Sequence, residues 1–251
     1  MKKLSKILII TVLSVFLVAG SAMATPISGG LLQKVLDGIT TAPNAGNSSV
    51  DVSTDYLSDT VDSYWSITAS GGSVATMVIG LAGLSGENDE FGVYSGLETN
   101  RVALFTSSST GPQVLLSILD TGSVLVNFTA TGVFFAGYNF GYYLKDDGAY
   151  WYSDTSLNSD QEDHMFAYQG TGTDTVKLQE FREGTWTDNE YILAFEGTNN
   201  SAVEDWDYND MVVMVESVTP APEPATMLLL GSGLIGIARF GRKKLFRKSQ
   251  K

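Results

Sequence analysis

The chain reads Glu204-Asp205-Trp206-Asp207-Tyr208-Asn209-Asp210 and continues directly as the apolar run Met211-Val212-Val213-Met214-Val215. This run, rich in valine, predicts a buried strand. The five carboxylate and amide side chains ahead of it are costly to assemble unless a positive charge lies among them. A turn there would bring the oxygens of alternate residues close enough to share one hard cation. The stretch therefore indicates a Ca²⁺ site, with candidate ligands Asp205, Asp207, Asn209 and Asp210.

Two other interpretations fit parts of the same stretch. An acidic loop that caps a hairpin would use Asp and Asn only as turn formers, and this alternative stays open. Counting from Asp205 also gives the EF-hand spacing, with Glu216 at the twelfth position. The EF-hand interpretation fails because the sixth position, which needs glycine, is Asp210, and a β-type run follows where a helix is required.

The pattern from residue 50 onward predicts the fold class. Short β-type runs alternate with turn residues, and no amphipathic helices separate them. This predicts an all-β protein, an antiparallel β-sandwich of the jelly-roll kind. The predicted strands cover residues 64–69, 75–81, 90–94, 101–105, 113–119, 123–128, 139–145, 164–169, 175–180, 190–196 and 211–218.

The N-terminus has the features of a secretory signal peptide. Lysines at positions 2, 3 and 6 precede an apolar run, and Ala22-Met23-Ala24 forms a small-x-small cleavage site. The predicted organisation is therefore a signal peptide at 1–24, an arm at 25–49 with a short helical segment, and the sandwich at 50–218. A linker follows at 219–224, and a hydrophobic helix with a basic tail at 225–251.

The C-terminal segment combines three elements in order. The triplet Pro222-Glu223-Pro224 precedes an apolar run with a central Gly231-Ser232-Gly233, and seven basic residues follow. This order resembles the PEP-CTERM sorting tail of Gram-negative bacteria. The resemblance implies recognition by an exosortase, removal of the tail near the triplet, and release to the cell surface or an extracellular polysaccharide matrix. Until then the helix would anchor the protein transiently in the inner membrane.

Charge separates the central domain from both ends. Of 15 basic residues, three precede Thr25 and seven follow Pro224, which leaves five basic against all 28 acidic residues and a formal charge of −23. Such a charge repels nucleic acid and attracts divalent cations. The chain has no cysteine, so disulfides do not stabilise this exported domain.

A second acidic region begins at Asp146-Asp147-Gly148 and runs to Asp163-His164. If the strands that bracket the two regions are neighbours, Asp154 or Asp163 would add oxygen ligands to the first region. Zinc is disfavoured because cysteine is absent and His164 is the only histidine. We expect His164 to be a structural strand residue.

Four blocks in order resemble the domain of unknown function 4114 family. The resemblance implies a β-rich extracellular domain whose calcium-associated acidic turn is Asp205, Asp207, Asn209 and Asp210, with Glu196 at the end of the preceding strand. The blocks are Asn139-Phe140-Gly141-Tyr142-Tyr143-Leu144, Tyr152-Ser153-Asp154-Thr155-Ser156-Leu157-Asn158 with Asp163-His164, Tyr191-Ile192-Leu193-Ala194-Phe195-Glu196, and the acidic turn with the residues up to Val213.

The sequence predicts an exported, non-enzymatic surface or matrix protein with a calcium-stabilised sandwich. A nucleophile elbow is missing, since Gly83-Leu84-Ser85-Gly86-Glu87 lacks the final glycine, and no cysteine nucleophile exists. One alternative is a carbohydrate-binding module of the exopolysaccharide matrix, with exposed aromatics between Tyr138 and Tyr152, such as Tyr150 and Trp151, as a platform. A glycoside hydrolase that uses two acidic residues is a further alternative.

Overall fold

The computed structural model describes residues 30–79, 89–96, 100–109, 111–197 and 206–221. The predicted signal peptide, Asp205, the Pro222-Glu223-Pro224 triplet and the tail helix lie outside these ranges. The described helices are α1 (Gly30–Ile39), α2 (Asp59–Asp62) and a 3-10 turn (Thr155–Leu157). None of them is long and apolar enough to cross a membrane.

Short strands are the main secondary structure of the described chain. They are β1 (Thr40–Ala42), β2 (Trp65–Ile67), β3 (Ser73–Ile79), β4 (Glu90–Tyr94), β5 (Arg101–Thr106), β6 (Gln113–Ile118), β7 (Ser123–Val126), β8 (Thr129–Phe134), β9 (Asn139–Asp146), β10 (Ala149–Tyr152), β11 (Met165–Gln169), β12 (Thr175–Val176), β13 (Gly184–Thr185), β14 (Glu190–Phe195), β15 (Met211–Glu216) and β16 (Val218–Pro220).

The strands form two large sheets and one small one, and neighbouring strands are antiparallel. The first large sheet has the order β16-β2-β9-β4-β5, with β10 also paired to β9. The second has the order β11-β14-β15-β3-β6-β7-β8, and the small sheet has the order β1-β12-β13. This confirms the predicted all-β class with antiparallel pairing.

Strand β15 shows why the apolar run after the acidic stretch organises the fold. It lies inside the seven-stranded sheet, between β14 and β3. Its residues 211, 213 and 215 face one hydrophobic cluster, and residues 212 and 214 face another. A strand that is buried on both faces needs a continuous apolar sequence, which is what Met211-Val212-Val213-Met214-Val215 provides.

These two hydrophobic clusters show where the core of the protein lies. The larger one joins the two large sheets through residues such as Phe91 and Leu144 on one side and Leu193 and Val213 on the other. The smaller one lies on the opposite face of the seven-stranded sheet. Helix α1 covers it with the fully buried Leu32 and Leu36, so the described part of the predicted arm packs against the sheet.

Candidate metal centre

The acidic turn leads into β15 through a tight backbone path. Trp206 and Tyr208 have positive φ angles of 49° and 54°, so the chain turns here instead of running extended. Tyr208 is buried, and its ring packs edge-on against Phe166 with the centroids 4.5 Å apart. Its hydroxyl donates a hydrogen bond of 2.7 Å to the Asp163 carbonyl. The turn is therefore fixed against the start of β11.

Two of the predicted ligands bind each other. The Asp207 carboxylate accepts hydrogen bonds from the Asn209 backbone amide at 3.3 Å and from its side-chain amide at 2.7 Å. Asp207 is buried, whereas Asn209 is half-buried. This arrangement is that of a turn in which Asp binds the backbone two residues on, so Asp207 and Asn209 at least shape the turn.

Glu196 lies beneath the acidic turn, directly after β14. The residue is fully buried, and its Oε2 accepts a hydrogen bond of 2.8 Å from the Tyr208 amide. His164 holds the Glu196 backbone from the neighbouring strand, since the Glu196 amide donates to the His164 carbonyl at 3.0 Å. The predicted Glu196 is thus brought to the turn. His164 is a buried strand-end residue whose ring stacks on Trp151, with the centroids 3.8 Å apart.

Asp210 and Asp146 approach each other at Gly197. The Asp210 carboxylate accepts a hydrogen bond of 2.7 Å from the Gly197 amide. A Cβ atom at Gly197 would lie 2.6 Å from Asp146 Oδ2 and 3.1 Å from Asp210 Oδ2. The lack of a side chain at Gly197 therefore makes room for two carboxylates, one from the end of β9 and one from the residue before β15. Asp146 is the last residue of β9 and is buried.

The sequence interpretation missed Asp146 and Asp89 as candidate site residues. Asp146 belongs to the second acidic region and precedes the turn Asp147-Gly148, both of which have positive φ angles. This Asp-Gly pair is the available signal, because it marks a tight hairpin that would fix Asp146 at a strand end. Asp89 is buried and accepts a hydrogen bond of 3.2 Å from the Asp147 amide. Nothing in its local sequence marks it.

Asp154 and Asp163 each accept a hydrogen bond from a backbone amide two residues further along the chain. Asp154 caps the 3-10 turn, accepting from the Ser156 amide at 3.0 Å, and also accepts from the Tyr64 hydroxyl at 2.8 Å. Asp163 is buried and accepts a hydrogen bond of 3.1 Å from the Met165 amide. Burial raises the pKa of Asp163 to about 7, against the lowering effect of that hydrogen bond, and the charge of Asp59 raises it further.

The acidic groups that converge in the described part of the chain do not form a complete ion-binding cage. No three acidic or histidine side chains in the described ranges lie close enough together to hold a metal ion. The carboxylates of Asp146 and Asp210 come together at Gly197, and the predicted ligand Asp205 lies outside the described residues.

The aromatic residues between 128 and 152 mainly pack inside the protein. Phe135, Phe140, Tyr142, Tyr143 and Trp151 are buried. The guanidinium of Arg101 covers one face of the Tyr150 ring, with its carbon 3.8 Å from the ring centroid. Core packing therefore removes the Trp151 ring from the predicted sugar-stacking platform, and Arg101 occupies one face of Tyr150. Tyr138 remains exposed.

The comparison with known families gives a match at the C-terminal end of the chain. The family described as PEP-CTERM protein-sorting motif matches residues 220–243. This chain carries a PEP-CTERM sorting motif. The motif indicates an exported protein that an exosortase processes. No curated protein and no solved structure matches the chain, and the resemblance to the domain of unknown function 4114 family is not confirmed.

The PEP-CTERM motif begins inside the folded domain. Pro220, the first matched residue, is the last residue of β16, which pairs with Trp65 of β2. The next residue, Ala221, is buried, and its amide donates a hydrogen bond of 2.7 Å to the Tyr64 carbonyl. The Pro222-Glu223-Pro224 triplet therefore follows β16 with one residue between them.

Proposed function

We propose that this chain is an exported, non-enzymatic surface or extracellular-matrix protein whose two large sheets form a calcium-stabilised β-sandwich. The PEP-CTERM motif at residues 220–243 supports export and processing by an exosortase. In this proposal residues 1–24 direct secretion and the apolar helix after the triplet anchors the chain transiently in the inner membrane. Removal of the tail releases the domain to the cell surface or to a surrounding exopolysaccharide matrix.

The meeting of Asp146 and Asp210 at Gly197 carries the calcium proposal. Carboxylates are the hard oxygen ligands that Ca²⁺ prefers. Two of them beside one glycine form a negatively charged pair that a shared cation would stabilise. The predicted ligand Asp205 would complete the set from the same turn, with Asp207, Asn209 and Glu196 fixing its geometry. Because Asp146 ends β9 and Asp210 precedes β15, the ion would link the two large sheets.

The function of such an ion is stabilisation. Binding to the folded state alone adds free energy of unfolding, about 2.7 kcal/mol when free Ca²⁺ exceeds the dissociation constant roughly a hundredfold. A domain without disulfides and with a formal charge of −23 gains from a link of this kind, since the ion also removes local carboxylate repulsion.

Thermal unfolding of the full chain tests the calcium proposal. We expect the Tm to rise by several degrees in millimolar Ca²⁺ relative to a chelator, and to rise less in Mg²⁺. Asp146→Asn and Asp210→Asn should each abolish the calcium-dependent rise without lowering the Tm in chelator, because the amide keeps the size of the carboxylate. The matched control is Asp188→Asn, at an exposed position, which should keep the full rise. An equal Tm with and without Ca²⁺ would contradict the proposal.

A further inference from the structure

A cleft of about 380 Å³ is lined by residues outside the acidic turn. Its walls come from the end of β2, the turn before β3, the end of β6 and two aromatic residues. The lining includes Ile67, Ser70, Ser117, Leu119, Phe128 and Tyr138. The volume falls within the roughly 300–1,000 Å³ of typical ligand sites.

Phe128 occupies a position that folding alone would not give to phenylalanine. Residues 127 and 128 form the two-residue turn between β7 and β8, with φ angles of 49° and 65°. Such a turn favours Asn-Gly, because both positions are left-handed and a bulky side chain is strained there. The Phe128 side chain is also 80% exposed. The residue therefore adds strain to the turn and buries little apolar surface in return.

The turn that carries Phe128 is held in place. The Asn127 side chain accepts a hydrogen bond of 2.9 Å from the Leu115 amide. The Asn127 amide donates one of 2.9 Å to the Leu115 carbonyl. Both bonds connect the turn to β6, so the ring of Phe128 is presented at the cleft from a fixed backbone.

A second aromatic ring and several polar groups complete the cleft. Tyr138 is 59% exposed and lines the same space. Ser117 also lines the cleft, and its hydroxyl donates a hydrogen bond of 2.9 Å to the Gly71 carbonyl. Asp120 is the one charged residue among the described residues of the lining. An apolar surface with a few fixed polar groups is the usual composition of a binding site.

We propose that this cleft binds a neutral polysaccharide, with sugar rings against Phe128 and Tyr138 and sugar hydroxyls on Ser70, Ser117 and Asp120. Pyranose rings have apolar C–H faces that fit exposed aromatic rings, and their hydroxyls fit serine and carboxylate partners. The charge of the cleft and of the domain indicates which class of polysaccharide can bind. None of the described lining residues is a lysine or an arginine, and the domain carries a formal charge of −23, so an anionic polymer is repelled. A single carboxylate among the described lining residues also suits binding better than hydrolysis, which needs two.

Electrophoresis of the full chain through native gels that contain a dissolved neutral glucan or galactomannan tests the proposal. We expect the polysaccharide to retard the wild-type protein. Phe128→Ala and Tyr138→Ala should each weaken this retardation about tenfold or more, as expected for a central aromatic contact. The matched control is Phe134→Ala: Phe134 is 60% exposed but does not line the cleft, and its loss should leave binding unchanged.

Phe128→Gly separates binding from folding. Because glycine adopts the left-handed region without strain, this variant should unfold at a higher temperature than the wild type and still lose binding.

The proposal is overturned if no neutral polysaccharide retards the wild type, or if Phe134→Ala weakens binding as much as Phe128→Ala. Equal retardation by alginate would overturn the neutral class. Sedimentation that shows a dimer in the wild type and a monomer in Phe128→Ala would instead make this surface a contact between copies of the chain.

Discussion

At the scale of single residues, Asp62 is a buried acid at the end of α2. It is 1% exposed, and neither carboxylate oxygen accepts a hydrogen bond of normal geometry from the described residues. Burial raises the pKa of Asp62 well above its ordinary value, and the charges of Asp163 and Asp59 raise it further. The amides of Asp62 and Ala167 oppose part of this rise. The folded protein therefore favours the neutral acid at this position.

The raised pKa makes folding stability depend on pH. The folded state holds a proton that the unfolded state releases near pH 3.9, so this stability is fully present below about pH 3.9 and is lost as pH rises through the folded-state value. Asp163, with a pKa raised to about 7, contributes in the same direction. The stability that these two protonated acids contribute therefore decreases as the pH rises from about 4 to neutral pH and above.

Asp62→Asn should remove part of this pH dependence. Asparagine resembles the neutral acid, so the variant should match the wild type near about pH 4. Near about pH 8 it should be more stable than the wild type, because asparagine avoids burying the charge that the wild-type acid would carry there. Urea unfolding at both pH values in chelator measures the difference. Asp188→Asn, at an exposed position, serves as control, and parallel pH profiles for Asp62→Asn and wild type would contradict the prediction.

At the scale of elements, strands β4 and β9 pair glycine with tyrosine. Gly141 lies opposite Tyr94, and Gly92 lies opposite Tyr143. A Cβ atom at Gly141 would lie 2.4 Å from the Tyr94 ring, and one at Gly92 would lie 2.7 Å from the Tyr143 ring. Each ring therefore covers the glycine of the neighbouring strand. Both tyrosines belong to a buried cluster with Tyr152, whose hydroxyl accepts a hydrogen bond of 2.8 Å from Arg101.

Gly141→Ala should destabilise this strand pair. The added methyl group would displace the Tyr94 ring from its cluster, and forcing extra atoms into a packed site costs about 1–3 kcal/mol. Chemical denaturation of both variants measures the effect against Gly137→Ala. No atom lies within 4 Å of a Cβ at Gly137, so that variant should stay close to wild-type stability. Equal stabilities for the two variants would show that the ring accommodates the methyl group.

The strands that the sequence predicted well are those with ordinary turn signals at both ends. The predicted strand 90–94 coincides with β4, and 101–105 differs from β5 by one residue. By contrast, 123–128 was predicted as one strand, whereas β7 ends at Val126 and β8 begins at Thr129. The error has a physical reason: Phe128 occupies a turn position that normally takes glycine. Strand β10 was also missed, because the acidic sequence around its Asp147-Gly148 turn suggested only a loop.

The candidate metal centre could be predicted only where its parts are neighbours in sequence. Asp207, Asn209 and Asp210 lie in one turn, and alternating oxygen donors before an apolar run indicate it directly. The contribution of Asp146 depends on how β9 lies against the end of β14, which a sequence without alignment does not contain. Glu196 was placed at the turn through a resemblance, and its bond to the Tyr208 amide agrees with that placement.

At the scale of the whole molecule, the sorting motif and the fold share residues. The PEP-CTERM match begins at Pro220 in β16, while the proposed cleavage triplet starts at Pro222. The Ala221 amide between them is bound to the Tyr64 carbonyl. An enzyme that acts on the triplet at the membrane surface must therefore work directly beside a folded domain.

This placement predicts that chain flexibility limits processing. In a bacterium that has an exosortase, the wild-type chain should be shortened and leave the membrane fraction, whereas replacement of Pro222, Glu223 and Pro224 by alanine should leave it full-length and membrane-bound.

A short Gly-Ser segment inserted between Ala221 and Pro222 should accelerate processing, because a flexible linker extends the reach of the triplet from the domain. Pulse-chase labelling with fractionation measures both effects, and an unchanged Tm of the insertion variant shows that β16 stays paired. Equal processing rates with and without the insertion would mean that the enzyme already reaches the triplet beside the folded strand. Cleavage of the alanine variant would show that the enzyme does not need the triplet for recognition.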